Sequence, residues 1–73
     1  MSDVIDEKML TVNGVAEPLA PTVAALLVAR DIAPDGRGVA VALNGAVVPR
    51  AAWPQTPLKP GDSVEIVRAR QGG

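Results

Sequence analysis

The chain has 73 residues, a formal net charge of -1 and no Cys, His, Tyr or Phe. This length suits one domain, whose small core leaves little room for a deep substrate pocket. Without Cys and His, the thiol nucleophile, the most common general base and the usual zinc ligands are missing, and disulfides are excluded. We therefore expect no catalytic residue, no metal site and no activity as an enzyme acting alone.

The balance of charge narrows the classes of partner. Seven basic and eight acidic residues provide no basic field for nucleic acid, and a single Trp offers little for base stacking. No apolar run approaches the roughly 18 residues of a membrane span, and the acidic N-terminal stretch is unlike a signal peptide. We expect a cytoplasmic domain that binds neither nucleic acid nor a membrane.

The chain begins with residues 1–8, which are polar and acidic and predict a flexible extension. Met9–Val12 is a short β-prone run, and Asn13-Gly14 directly after it is a strong hairpin signal because both residues tolerate positive φ. Residues 15–19 would return as the second strand. Pro18 cannot donate to a ladder, so it predicts an edge strand or the end of this strand.

A helix follows, for which Thr22 is the predicted N-cap because its hydroxyl can accept from an amide of the first turn. Four residues at helical spacing share one face of this helix, and they are Val23, Leu26, Leu27 and Arg30. The apolar members of this face should point at a sheet. We expect the helix to end near Arg30 or Asp31, before Pro34, and residues 35–38 to form a loop.

A second hairpin is predicted from residues 39–48. Large and small side chains alternate from Val39 to Leu43, which indicates a central strand covered by the helix. Asn44-Gly45 repeats the hairpin signal. Ala46–Val48 is the short partner strand, and Pro49 ends it.

Residues 50–58 contain Trp53, Pro54 and Pro57, which predicts an irregular crossing with one turn of 3₁₀ helix. We expect Trp53 to be a half-buried wedge under this crossing rather than a ring that stacks on a ligand. Lys59–Asp62 reads as a type II turn, with Pro and Gly at its central positions.

The last strand leads into the end of the sequence. Val64, Ile66, Arg68 and Arg70 alternate on one side of it, so the strand should be buried at its start and more exposed towards its end. We predict a folded domain over residues 9–70 and a mobile tail over residues 71–73, whose two glycines would let a carboxylate enter a channel too narrow for a Cβ. The alternative is a frayed end without function.

The order of elements is hairpin, helix, hairpin, crossing and strand. If the last strand pairs with the first, one main helix covers one face of a mixed sheet of four to five strands. This is an α+β domain with the β-grasp, or ubiquitin-like, arrangement.

Short segments over residues 9–73 also occur in a specific order and spacing. They are Leu10–Gly14, Thr22-Val23 with Leu26-Leu27, Val39–Gly45, Val48–Arg50 with Trp53, and Gly61–Val67 leading to Gln71-Gly72-Gly73. In these segments the chain resembles the bacterial ThiS family, the sulfur carriers of thiamine thiazole biosynthesis. It departs from that family in the residues before Met9 and in Arg68 to Arg70, where a more apolar run is expected.

The resemblance implies a chemistry at Gly73. An adenylating enzyme of the ubiquitin-activating type would supply the ATP site, since this chain has no Gly-rich phosphate loop with Lys and Ser or Thr. The Gly73 carboxylate would become an acyl-adenylate and then a thiocarboxylate, with sulfur from a persulfide made by a cysteine desulfurase. Thiazole synthase would take the sulfur. The chain would then be a protein co-substrate that binds no cofactor itself.

By the same resemblance, Gly73 is the covalently modified residue, and Gly72 and Gln71 are recognised as the tail. Arg68 and Arg70 are candidates for partner docking, where charge influences encounter rate and partner choice. A solvated strand end is the alternative explanation for these two arginines.

Several other functions stay open. Molybdopterin-synthase small subunits share the fold and the Gly-Gly tail but usually carry a Pro-Pro step where this chain has Arg68-Ala69-Arg70. A sulfur carrier for molybdopterin or amino-acid synthesis would differ from the thiamine carrier in its acceptor enzyme. A ubiquitin-like protein modifier would use the same tail, and a plain interaction module would not use it at all.

Overall fold

The computed structural model describes residues 7–32 and 37–68, and within them five strands form one mixed sheet that packs against a single α-helix. The elements are β1 (Met9–Val12), β2 (Val15–Pro18), α1 (Val23–Ala29), β3 (Val39–Leu43), β4 (Ala46–Val48), a 3₁₀ helix (Arg50–Gln55) and β5 (Ser63–Arg68). The strand order is β2-β1-β5-β3-β4, with β1 and β5 parallel and the other neighbours antiparallel. The predicted β-grasp arrangement is confirmed.

Both predicted hairpins form around their Asn-Gly pairs. The φ angles are 51° and 82° at Asn13 and Gly14, and 50° and 88° at Asn44 and Gly45. Positive φ at both central positions defines the type I′ turn, whose twist matches that of the flanking strands. Strand β2 lies at the edge of the sheet and ends at Pro18, as its missing N–H predicts.

The helix begins at the predicted N-cap. The Thr22 hydroxyl accepts a hydrogen bond from the Ala25 amide at 3.1 Å. The apolar members of the predicted face are buried, and they are Val23, Leu26 and Leu27. Arg30, the fourth member, is exposed at the C-cap and lies 3.4 Å from the Glu17 carboxylate on β2.

The C-terminus of α1 closes with a Schellman motif. The Asp31 amide donates to the Val28 carbonyl at 3.0 Å, and the Ile32 amide donates to the Leu27 carbonyl at 2.9 Å. Asp31 has φ 67°, a conformation that glycine adopts more easily than an L-residue. The helix therefore ends where the sequence predicts. Part of the predicted loop over residues 35–38 lies outside the described residues.

Trp53 corrects one prediction. Its side chain is only 3% exposed rather than half-buried, and its Nε1 donates to the Val48 carbonyl at 2.9 Å. Because the carbonyl at the end of β4 satisfies the indole N–H, the whole ring can be buried without an unpaired donor. The 3₁₀ segment around it is also longer than one turn, spanning six residues.

One apolar core lies between the sheet, α1 and the crossing. Its buried members are Leu10, Val12, Val23, Leu26, Leu27, Ile32, Val41, Val48, Trp53, Leu58 and Val64. Strand β5 holds the middle of the sheet, and β3, which the sequence predicted to be central, lies beside it with β4 on its other side. Among the described residues, no helix is long and apolar enough to cross a membrane.

Candidate functional site

Most of the predicted site lies outside the described residues. This holds for Arg70, Gln71, Gly72 and Gly73, and so for the predicted boundary between the domain and its tail. Arg68 is described, and it is the exposed last residue of β5. The described part of the site is therefore the strand that leads to the Gly-Gly end.

Strand β5 changes along its length from core to surface. Val64 is fully buried, Ile66 is partly buried, and Val67 is 63% exposed on the other face of the sheet. Arg68 is exposed and pairs across the sheet with Val39. The predicted gradient from buried start to exposed end is confirmed, and β5 occupies the middle of the sheet rather than an edge.

A side chain of the first hairpin holds β5 near its exposed end. The Asn13 Oδ1 atom accepts from the Ile66 amide at 2.9 Å, and its Nδ2 atom donates to the Ile66 carbonyl at 3.2 Å. Strand β1 itself pairs with β5 only as far as Val12 and Val64. One carboxamide therefore extends the β1 ladder after the chain has turned away, since it carries both a donor and an acceptor, as a peptide group does.

The second hairpin holds the start of the same strand. Asn44 accepts from the Ser63 amide through Oδ1 at 2.9 Å and donates through Nδ2 to the Asp62 carboxylate at 3.1 Å. The other Asp62 oxygen accepts from the Lys59 amide at 2.8 Å. Asp62 is only 9% exposed, and these bonds join the type II turn to the second hairpin. Gly61, with φ 83°, occupies the position of that turn where glycine is preferred.

Sequence reasoning assigned Asn13, Asn44 and Asp62 to turns only. It missed the bonds of the two asparagine side chains to β5 and the bonds of the Asp62 carboxylate to Asn44 and Lys59. A signal existed for the two asparagines. Gly or Asp also tolerates the first position of a type I′ turn, but only Asn offers a donor and an acceptor together. The two asparagines therefore offer carboxamides that are able to bind a backbone, although the sequence does not show which strand they reach.

Within ranges 7–32 and 37–68, no group of three or more His, Cys, Asp or Glu residues could hold a metal ion. The buried carboxylate of Asp62 accepts bonds from the Asn44 side chain and the Lys59 amide, so it serves the fold. The described residues hold β5, the strand that leads to the Gly-Gly end, in place.

Comparisons with known proteins agree with this description. Residues 8–73 match the model of the ThiS family. A crystal structure of a thiamine biosynthesis protein (ThiS) from Geobacter metallireducens is 39% identical, with a TM-score of 0.71, and the match covers 89% of this chain and 99% of that one. A solution structure of a thiamine biosynthesis protein from the same organism is 38% identical with the same TM-score, covering 89% of this chain and 87% of that one. A comparison with curated proteins returned no match.

Proposed function

The chain belongs to the ThiS family, and on this basis we propose that it is a sulfur carrier for thiamine biosynthesis that bears its sulfur on Gly73. The observation that carries the proposal is the family match over residues 8–73, which includes the Gly-Gly end. The fold supports it because β5 runs through the middle of the sheet towards that end.

Activation of the carboxylate comes first, because nucleophilic attack on an anionic carboxylate would add further negative charge. In the proposed reaction an adenylating enzyme joins the Gly73 carboxylate to AMP from ATP and releases pyrophosphate. The terminal sulfur of a persulfide then attacks the carbonyl carbon, AMP leaves, and an acyl disulfide remains. A thiol reductant splits the S–S bond, which leaves a thiocarboxylate on Gly73 and a disulfide on the donor side.

This chain contributes the reacting carboxylate and its delivery, and the partner enzymes contribute the catalysis. We propose an adenylating enzyme as the ATP-using partner, a cysteine desulfurase as the source of the persulfide, and thiazole synthase as the acceptor of the sulfur. Gly72 and Gln71 pass through the narrow approach to the partner's active site. Arg68, exposed at the end of β5, and Arg70 interact with the rim of that approach.

The test is the mass of the loaded protein after incubation with ATP, the adenylating enzyme and a persulfide donor. Loading replaces one oxygen with sulfur, a change close to the mass that a single methionine oxidation adds. Cleavage after Glu65 separates the two cases, because the fragment from Ile66 to Gly73 contains no Met. The chain also has no Cys, so a thiol alkylating reagent that labels this fragment reports the thiocarboxylate.

Two tail variants complete the test. We expect Gly72→Val and deletion of Gly73 to abolish loading while the fold is unchanged, because the described core is built from residues between Leu10 and Val64. Ala16→Val is the matched control, since it adds the same side chain on the exposed edge strand β2 and should load normally. Normal loading of Gly72→Val would refute the proposed route. Isopeptide-linked adducts on lysines in place of a thiocarboxylate would instead support a protein modifier.

A further inference from the structure

Among the described residues, the last hydrogen bonds on the β1 side of β5 are made by a single carboxamide. Strand β1 ends at Val12, and its pairing with β5 ends at Val64. The next β5 residue that faces the β1 side is Ile66, whose N–H and C=O bind Oδ1 and Nδ2 of Asn13 at 2.9 and 3.2 Å. Because one group donates and the other accepts, the orientation of this carboxamide is determined by the two bonds.

From this geometry we propose that Asn13 is a positioning residue for the loading of Gly73, an inference that rests on the function proposed above. Its carboxamide holds Ile66 on the β1 side while β3 holds the other side, and it thereby contributes to the direction in which the following seven residues reach a partner's active site. At no more than about 3.6 Å per residue, this segment spans about 25 Å when fully extended. A small change of direction at Ile66 therefore displaces Gly73 considerably.

Removal of the carboxamide would move the last anchor on the β1 side back by two residues, from Ile66 to Val64. Val67 and Arg68 already pair with β3 alone, through Ala40 and Val39, and Ile66 would join them. The part of β5 that is held from one side only would lengthen, and such a strand end is less stable than the interior of a sheet. The partner enzyme would have to order this segment on binding, which weakens binding without changing the chemical step.

Asn44 provides a matched control for the proposed role of Asn13. Asn44 occupies the same position of the same type of turn and also binds the backbone of β5, but at Ser63, the first residue of the strand. Its loss should destabilise the domain without releasing the end that leads to Gly73. A purely structural role for Asn13 predicts equal effects of the two substitutions on loading.

The variants are Asn13→Gly, Asn13→Asp and Asn44→Gly. Glycine retains the positive φ that the turn requires, so these substitutions remove the carboxamide with the least strain on the turn. Asn13→Asp retains an acceptor for the Ile66 amide but places a second oxygen against the Ile66 carbonyl, so it should fail to replace Asn. Each protein is assayed at a temperature at which the fluorescence of Trp53, the only aromatic residue, shows it to be folded.

We expect faster amide hydrogen exchange at Ile66 and Val67 in both Asn13 variants, and at Ser63 in Asn44→Gly. In loading by the adenylating enzyme, KM for the carrier should rise about three- to tenfold in the Asn13 variants, as loss of a hydrogen bond suggests, with kcat unchanged. Asn44→Gly should keep the KM of the parent. This set of results would support the inference.

Two results would overturn it. If the parent protein is loaded and Asn13→Gly has the same KM, or if Asn44→Gly raises KM equally, Asn13 has no positioning role and the proposed function stands. If the parent protein itself is never loaded, the proposed function fails and the inference fails with it.

Discussion

Substitution of Asp62 by Ala tests whether the junction before β5 stabilises the fold. The carboxylate is 9% exposed and accepts two hydrogen bonds, from the Lys59 amide at 2.8 Å and from Nδ2 of Asn44 at 3.1 Å. Its removal would leave both donors without their acceptor. Asn44 would also lose one of the two contacts that orient its carboxamide towards Ser63.

The magnitude follows from these two bonds. A hydrogen bond to a charged group contributes about 1.5–3 kcal/mol, so two give at most about 3–6 kcal/mol. Asn44 is exposed, and water can replace part of its lost bond. We therefore expect Asp62→Ala to lower the free energy of unfolding by about 2–4 kcal/mol. This is a large part of the roughly 4–11 kcal/mol typical of a domain of this size.

Asp62→Asn sharpens the test, because its carboxamide has only one acceptor. The carboxamide oxygen of the variant can accept from the Lys59 amide or from Asn44. In either case the NH₂ group of the variant side chain faces the other donor. We expect a loss between that of Asp62→Ala and zero, about 1–2 kcal/mol.

Urea denaturation followed by Trp53 fluorescence measures these changes, since the buried indole becomes exposed on unfolding. Glu65→Gln is the control, because this side chain is exposed on the same strand and its change should stay within about 0.5 kcal/mol. A loss for Asp62→Ala as small as that of the control would refute the reasoning. So would an Asp62→Asn variant as stable as the parent.

Two further predictions concern the ends of α1. Thr22→Ala should lower the free energy of unfolding by about 1 kcal/mol, because the Ala25 amide loses its hydrogen bond to the Thr22 hydroxyl. Thr22→Ser retains a hydroxyl and should lower it much less. Equal losses for the two variants in urea denaturation would argue against the cap. Asp31→Gly should raise the free energy of unfolding by about 0.5–1 kcal/mol. The substitution relieves the positive φ of 67° and removes a negative charge from the helix C-terminus. A lower melting temperature than that of the parent would contradict this.

The sequence predicted the elements well because their signals are local. Asn13-Gly14 and Asn44-Gly45 specify type I′ turns whatever lies around them, and Thr22 needs only the first turn of its own helix as a partner. The alternation of residues in β3 and β5 likewise gives their buried faces. The parallel pairing of β1 with β5 joins the two ends of the domain, and it could be inferred from the order of elements.

The errors and omissions depend on contacts between residues far apart in sequence. The depth of Trp53 is set by an acceptor at the end of β4 and by the packing of the crossing on the core. Asn13 lies 53 residues before Ile66, and nothing in the local pattern shows that β5 extends beyond the end of β1. Such bonds become visible only when the register between strands is known.

The same geometry separates the residues that maintain the fold from those that would carry the chemistry. The side-chain anchors of β5 described above are bound between residues 62 and 66, seven or more positions before Gly73. We therefore expect variants of Gly72 and Gly73 to keep these anchors, so that a loss of loading in a folded variant would arise at the tail. Variants of Asp62 weaken the fold but leave the tail unchanged, so those that remain folded should still be loaded. Asn13 lies between these two groups, because its bonds stabilise the sheet and direct the strand that leads to Gly73.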